Sequence, residues 1–348
     1  MITRFAQLVV VLLVVAIGAS FMTGWAASNV VPASSAGVDS HVPVPDDIKP
    51  PECAAIAIAG LVTGTGTFAG TGANDLILGS AAADTITSNA GDDCVLSGAG
   101  TDDLFAGTGG GFGGSSDVLN AGGDADRCRG EGGTATYISC ESVEASLLGA
   151  WATGLVHAAP VGQSRALVFV GQMEAGGTQT LTGVTYGGQA MTLVVGAGTS
   201  VASPRVTVEI WVLGEAGIAA AADGTIVPTW TDAPTSEHYS SAFFRDVNQG
   251  ALTGATQTNV GNGGSPLTTA ALASTWGDIA LFAVATANEP TFTPNNGFIE
   301  GTDENGGSAL ETAYQPSTGA DLTPSTTPSA NPGRWAMVGA VLKSVTTP

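Results

Sequence analysis

Positive charge is what this sequence has least of. Nine Lys and Arg residues stand against thirty Asp and Glu, a formal net charge of −21 over 348 residues. A chain of that sign is repelled by phosphate backbones and by anionic lipid headgroups, so nucleic acid is excluded as a partner and anionic membrane surfaces are disfavoured. Charged residues of both signs make up only 11% of the chain and aromatics 6%. The apolar 44% still suffices for a packed core, which excludes disorder of the chain as a whole. Histidine is rare: His41, His157 and His238 are scattered. No His-Glu-x-x-His, Gly-x-Ser-x-Gly or Gly-x-x-x-x-Gly-Lys occurs, so the usual signatures of zinc proteolysis, serine hydrolysis and phosphate cradling are missing. We read the chain as not an enzyme.

Glycine, by contrast, is abundant at 50 residues. Without a collagen period, that implies many tight turns and an all-β chain of short strands. At the N-terminus Arg4 precedes the apolar run Leu8 to Ile17, followed by small residues around Gly24-Trp25-Ala26-Ala27. This is the layout of a secretory signal peptide over residues 1–27, with an uncleaved anchor as the alternative. Both place the rest of the chain outside the cytoplasm, secreted or at the cell surface. Residues 28–51, rich in Ser, Val and Pro, read as a linker. In an exported chain the four cysteines Cys53, Cys94, Cys128 and Cys140 favour disulfides over metal ligation. Three pairings are possible. The one favoured is Cys53–Cys94 with Cys128–Cys140, a clamp near each end of one domain.

The aspartates of residues 52–142 are periodic. Asp75, Asp84, Asp93 and Asp102 are spaced nine apart, and after an insertion of six residues Asp117 and Asp126 resume the interval. Two places after each stands Ile77, Ile86, Val95, Leu104, Leu119 or Cys128. Each nonapeptide thus reads as a glycine-rich turn, an acidic residue and a short strand with one inward side chain. Two nonapeptides complete one coil, so residues 18 apart stack: Asp75 under Asp93, and Asp84 under Asp102 on the other edge. Stacked carboxylates at the ~4.8 Å strand spacing repel unless a cation sits between them. Calcium suits a flexible oxygen cage, and its binding is then coupled to folding.

These segments resemble the repeats-in-toxin (RTX) nonapeptide, Gly-Gly-x-Gly-x-Asp-x-apolar-x, which forms a calcium-loaded parallel β-roll. The resemblance spans roughly residues 53 to 141, with cap-like copies lacking the Asp around Val62 to Ala69 and Gly130 to Ile138. It implies Ca²⁺ as the bound ion and Asp75, Asp84, Asp93, Asp102, Asp117 and Asp126 as its ligands. The chain departs from the pattern two residues before the Asp, where glycine survives as Gly91 and Gly100 and is replaced by Ala73, Ala82, Ser115 and Asp124. A Cβ there strains a bend that needs positive φ. The insertion around Ala106 to Gly111 interrupts the ladder.

Over residues 143–348 the aspartate series stops and strand-like segments follow: Ala166–Val170, Val184–Tyr186, Met191–Val195, Val206–Val212, Tyr239–Val247, Ile279–Val284 and Trp335–Lys343. Alternation of Val206, Val208, Ile210 and Val212 puts four apolar side chains on one face. The expectation is an antiparallel β-sandwich after the β-roll, with Pro316 to Gly333 as a long loop. Gly183 to Leu193, Glu209 to Leu213 and Trp335 to Lys343 are similar to a jelly-roll-like module of bacterial secreted proteins, which implies a fold and no chemistry. Glu300 with Asp303-Glu304-Asn305 reads as an acidic loop. Trp211 and Trp335 belong to apolar strands, whereas Trp230 and Trp276 lie near turns where a sugar could stack. The functional expectation is an exported calcium-binding protein, structural or interacting with a surface protein or polysaccharide. The alternatives are a carbohydrate-binding protein and a hydrolase with an unrecognised carboxylate pair.

Overall fold

The computed structural model describes residues 42–107, 116–130, 134–176, 179–200 and 204–345. The signal peptide or anchor expected over 1–27, residues 28–41 of the expected linker, His41, Ser115 and residues 108–111 of the insertion lie outside them. Among the described residues no helix is long and apolar enough to cross a membrane.

Ten short strands wind into a parallel solenoid: β1 (Gly60–Thr63), β2 (Thr67–Ala69), β3 (Asp75–Leu78), β4 (Thr85–Thr87), β5 (Cys94–Leu96), β6 (Asp103–Phe105), β7 (Ser116–Asn120), β8 (Arg127–Arg129), β9 (Thr134–Ile138) and β10 (Ser142–Val143). Odd-numbered strands form one five-stranded sheet and even-numbered strands the other, so each nonapeptide is half a coil. Thr67 pairs with Thr85 and Thr85 with Asp103, eighteen residues on each time. Across the insertion the step grows to twenty-four, Cys94 with Val118 and Asp103 with Arg127. The coil is shortened to fifteen at both ends, Gly60 with Asp75 and Arg127 with Ser142. Ile77, Ile86, Val95, Leu104, Leu119 and Cys128 form the interior, as their place two residues after each Asp requires.

Both disulfides join the favoured pairs, Cys53 to Cys94 and Cys128 to Cys140. Cys128–Cys140 lies in the interior of the last coil. Cys53–Cys94 instead fastens the segment before β1 across the outer face of the odd-strand sheet, where Ile56 and Ile58 cover Leu76 and Val118. The Asp46 carboxylate holds the same segment by accepting the Ile58 N–H at 2.7 Å.

The C-terminal region is antiparallel and built twice. The first set is β11 (Ser146–Thr153), β12 (Ala166–Ala175), β13 (Leu181–Tyr186), β14 (Gln189–Ala190), β15 (Thr192–Gly198), β16 (Arg205–Gly214), β17 (Ile226–Trp230) and β18 (Ser236–Arg245). The second is β19 (Thr253–Asn262), β20 (Leu267–Thr268), β21 (Trp276–Thr286), β22 (Phe292–Pro294), β23 (Ile299–Asn305), β24 (Ala309–Thr318), β25 (Ser325–Pro328) and β26 (Arg334–Leu342). One large sheet runs β11-β18-β12-β16-β15 and the other β19-β26-β21-β24-β23. These are the same order once β12 is matched with β21, β15 with β23, β16 with β24 and β18 with β26. Even the irregularities repeat: β15 shifts register against β16 between Leu193 and Val195, and β23 against β24 between Glu300 and Thr302.

Matched faces do matched work. Val168 and Val170 of β12 and Leu281 and Ala283 of β21 share the core between the two large sheets. Leu167 and Phe169 on the opposite face of β12 pack under the β13–β17 side, as Ala280 and Phe282 pack with Phe292 of β22. Two expectations are corrected. Pro316 to Gly333 is not one long loop, since β24 runs to Thr318 and β25 pairs with β20 and β22. Glu300 to Asn305 is not a loop either, but part of strand β23.

The solenoid docks on these sheets through its last coil. Val143 N–H donates to the Val345 carbonyl at 3.1 Å, and Ala145 N–H to that of Gly277 at 2.9 Å. Tyr137 OH donates to Asp246 at 3.1 Å, and the Arg127 guanidinium lies 5.1 Å over the Trp276 ring.

Candidate metal centre

All six periodic aspartates are buried, none more than 2% exposed. A buried carboxylate is costly unless its oxygens are satisfied. One oxygen of each is satisfied by the solenoid. Asp93 Oδ1 accepts the N–H of Asp75 at 2.8 Å, and Asp117 Oδ1 accepts that of Asp93 at 2.9 Å. On the other edge Asp84 Oδ1 accepts Gly66 N–H, Asp102 Oδ1 accepts Asp84 N–H, and Asp126 Oδ1 accepts Asp102 N–H. The insertion therefore does not interrupt the ladder. After it Asp117 and Asp126 return to the stacked positions.

The second carboxylate oxygen divides the turns into two kinds. In Gly70–Asp75, Asp75 Oδ2 accepts both N–H and hydroxyl of Thr71, at 2.6 and 2.7 Å. In Gly79–Asp84, Asp84 Oδ2 accepts the same two groups of Ser80, at 2.7 and 3.0 Å. Neither turn has positive φ at its second or fourth residue. The turns ending at Asp93, Asp102 and Asp126 have it at both. Asn89 and Gly91 take φ of 71° and 121°, Gly98 and Gly100 108° each, and Gly122 and Asp124 83° and 90°. In these three turns Oδ2 of the aspartate is buried without a hydrogen-bond partner, and so is Oδ1 of Asp75. Among the described replacements of glycine, the expected strain falls on Asp124 and not on Ala73 or Ala82, whose turns use a different backbone path.

Electrostatics single out the same region. Burial pushes the Asp93 carboxyl up to about 7, the Asp75 N–H opposing and the charges of Asp117 and Asp75 adding. Burial also pushes Asp126 up to about 6, with the negative charges of Asp102, Glu141 and Asp124 adding and the Asp102 N–H opposing. Glu141 is the residue that spacing alone misses. Its Oε2 accepts the Asp126 N–H at 2.6 Å, the role each aspartate plays for the one below, yet it follows Asp126 by fifteen residues in the shortened last coil. Thr71 and Ser80 are likewise missed by a reading that scores only the Asp and the glycines.

The side chains alone do not form a closed cage: among the described residues no group of three or more His, Cys, Asp or Glu is placed to hold a metal ion by itself. The turns also supply backbone oxygen. A Cβ on Gly98 would fall 2.0 Å from the Ser80 carbonyl of the coil below, and one on Gly122 1.8 Å from that of Gly98. Carboxylate and carbonyl oxygens together are the donor set of a hard cation such as calcium, and orphaned buried carboxylate oxygens fit it.

The remaining candidates do not converge. His157 Nδ1 is 2.9 Å from Ser241 Oγ, with burial holding its pKa down. His238 contacts the Ser308 carbonyl at 3.1 Å, and its pKa is raised chiefly by Glu304. In the acidic stretch, Asp303 accepts Phe292 N–H and Glu304 accepts the Ser240 hydroxyl. Trp211 and Trp335 are buried. Trp230 donates its indole N–H to Tyr239 OH, and Arg127 covers the Trp276 ring.

Fold and site together define a parallel β-solenoid with stacked acidic turns. Residues 69–109 and 113–136 match the family model of the RTX calcium-binding nonapeptide repeat, in four copies, so this part of the chain carries repeats of that type. No curated protein and no solved structure matches the chain.

Proposed function

We propose that this chain is an exported calcium-binding protein whose nonapeptide solenoid is folded and rigidified by Ca²⁺, serving a structural or interaction role at or outside the cell surface. The observation that carries the reading is the set of buried, unpartnered carboxylate oxygens of Asp75, Asp93, Asp102 and Asp126, all within the repeats. A divalent ion there would be held by those carboxylates, by Asp117 of the same ladder and by carbonyls of adjacent coils. It would supply the positive charge that the chain itself lacks.

Export is supported by two disulfides, by the leader-like N-terminal sequence and by the repeat family, whose proteins are typically secreted. Repeats of this family are generally structural calcium-binding elements rather than catalytic ones. The carbohydrate reading is weakened because Trp276 is capped by Arg127 and Trp230 is tied to Tyr239.

Calcium titration of the chelator-stripped protein, followed by far-UV circular dichroism and calorimetry, tests the proposal. A gain of β signal with several ions bound per chain is expected. A flat spectrum and no heat up to millimolar calcium would sink it.

A further inference from the structure

We propose that calcium is held where a nonapeptide turn has positive φ at its second and fourth positions, by Asp93, Asp102 and Asp126 with Glu141 closing the last site. In the turn of Asp84 the N–H and hydroxyl of Ser80 stand in the ion's place. This deepens the calcium-binding reading and rests on it.

The two kinds of turn differ at the one atom a cation needs. In the first coil Oδ2 of Asp75 and of Asp84 already receives two donors from the same turn, and Asp84 Oδ1 receives a third from Gly66. At Asp84 an ion would have to displace a backbone N–H and a hydroxyl that are held in place by the chain itself, so that carboxylate is satisfied without it, whereas Oδ1 of Asp75 is buried without a partner. At Asp93, Asp102 and Asp126 the corresponding oxygen is sealed from solvent and has no donor. Leaving a buried charge in that state costs more than any neutral mismatch, which makes a cation the natural completion.

Negative charge is higher in two of these three turns, those of Asp93 and Asp126, while the turn of Asp102 has Thr101 before its single carboxylate. The turns ending at Asp75 and Asp84 contain one carboxylate each, with Asn74 and Ala83 in the preceding positions. The turn of Asp93 adds Asp92, which accepts Ser116 N–H. The turn of Asp126 adds Asp124, and beyond it Glu141. Glu141 belongs to no nonapeptide, yet it occupies the next rung above Asp126, where the shortened coil offers no aspartate. The longer side chain spans the missing residues.

The consequence is a solenoid whose Asp84 turn needs no metal and whose coils towards β8 to β10 depend on it. Those later coils are the ones docked on the antiparallel sheets, so calcium would fix the junction rather than the free end.

Equilibrium dialysis of the full chain against calcium, after chelation, separates the turns. Asp84→Asn should bind the same number of ions per chain as the wild type, whereas Asp102→Asn should lose at least one. Glu141→Gln should weaken the last site by about 10-fold or more, and Glu141→Asp should restore part of that loss. Equal losses in Asp84→Asn and Asp102→Asn would overturn the assignment. Absence of calcium from the wild type would instead overturn the calcium reading itself. Should Asp102→Asn fail to fold, the double change Ser80→Gly with Ala82→Gly decides. Converting that turn to the other kind should add bound calcium, and an unchanged count would reject the hydroxyl-for-ion exchange.

Discussion

At the scale of single residues, the solenoid is governed by where a side chain is tolerated between stacked turns. Gly98 takes φ of 108°, and a Cβ there would meet the Ser80 carbonyl at 2.0 Å. Gly72 lies in the turn Gly70–Asp75 on the other edge, with nothing within 4 Å of its Cβ position. Gly98→Ala combines left-handed strain with a backbone clash, and should cost about 2–4 kcal/mol. Gly72→Ala should be near neutral or slightly stabilising, because it mainly restricts the unfolded chain. Thermal melts of the two variants in saturating calcium check this; equal melting temperatures would show that the turns are softer than the stacking implies.

The residue scale also shows why the nine-residue register was legible and Glu141 was not. A solenoid repeats its environment, so each aspartate and each inward aliphatic recurs at a fixed offset. A terminal coil need not obey that offset, and Glu141 replaces an aspartate only because the coil is three residues short. Thr71 and Ser80 were visible in the sequence, but their effect depends on hydroxyls bending back to a carboxylate four residues on, which periodicity does not encode.

At the scale of elements, polar residues inside strands decide what sequence patterning can find. The strands with clean alternation or apolar runs, such as β12, β16 and β21, were expected from their residues and are present. Strand β24 was not expected: none of Ala309–Thr318 was read as strand, and Pro316 with the Ser-Thr-Pro run beyond it read as loop. Strand β19, Thr-Gly-Ala-Thr-Gln-Thr-Asn-Val-Gly-Asn, offers almost no apolar signal, being an edge strand with one side in solvent. The duplication was hidden for a related reason. Val206, Val208, Ile210 and Val212 of β16 correspond to Ser308, which precedes β24, and to Leu310, Thr312 and Tyr314 within it, so the faces match while the composition does not.

Strand β24 carries a testable case of its own. Glu311 is fully buried under β25, with Oε1 accepting the Thr326 hydroxyl and Oε2 without a partner. Burial pushes its carboxyl up to about 9, with the charges of Asp303 and Glu300 adding to the effect. The folded state therefore holds a proton that the unfolded chain releases near its ordinary value of 4.5. Stability from this group is fully present below pH 4.5 and declines as the pH rises towards about 9. Glu311→Gln removes the proton requirement at little change of shape. The variant should thus gain stability over the wild type progressively from pH 5 to pH 8. Denaturant melts at the two pH values measure it, and a constant difference would mean the carboxyl is not protonated in the fold.

At the scale of the whole molecule, the solenoid and the antiparallel sheets have cores of different origin, and they meet at few points. The two large sheets bury their inner faces against each other. The last coil reaches them through Val143, Tyr137 and Arg127, and Arg127 stands one residue after Asp126. Every tryptophan among the described residues lies in the antiparallel part: Trp151, Trp211, Trp230, Trp276 and Trp335. Of these, Trp276 alone faces an arginine of the solenoid. If calcium organises the turn that ends at Asp126, chelation should withdraw Arg127 and wet the Trp276 ring while leaving the other four in their packing. The difference in fluorescence between wild type and Trp276→Phe isolates that ring. It should shift to longer wavelength on chelation and return with calcium, over the same range in which the far-UV β signal is lost and regained. A far-UV loss without any change in the Trp276 difference would mean that the last coil stays docked through Cys128–Cys140 and the Val143–Val345 contact alone. The calcium-dependent part would then end before β8.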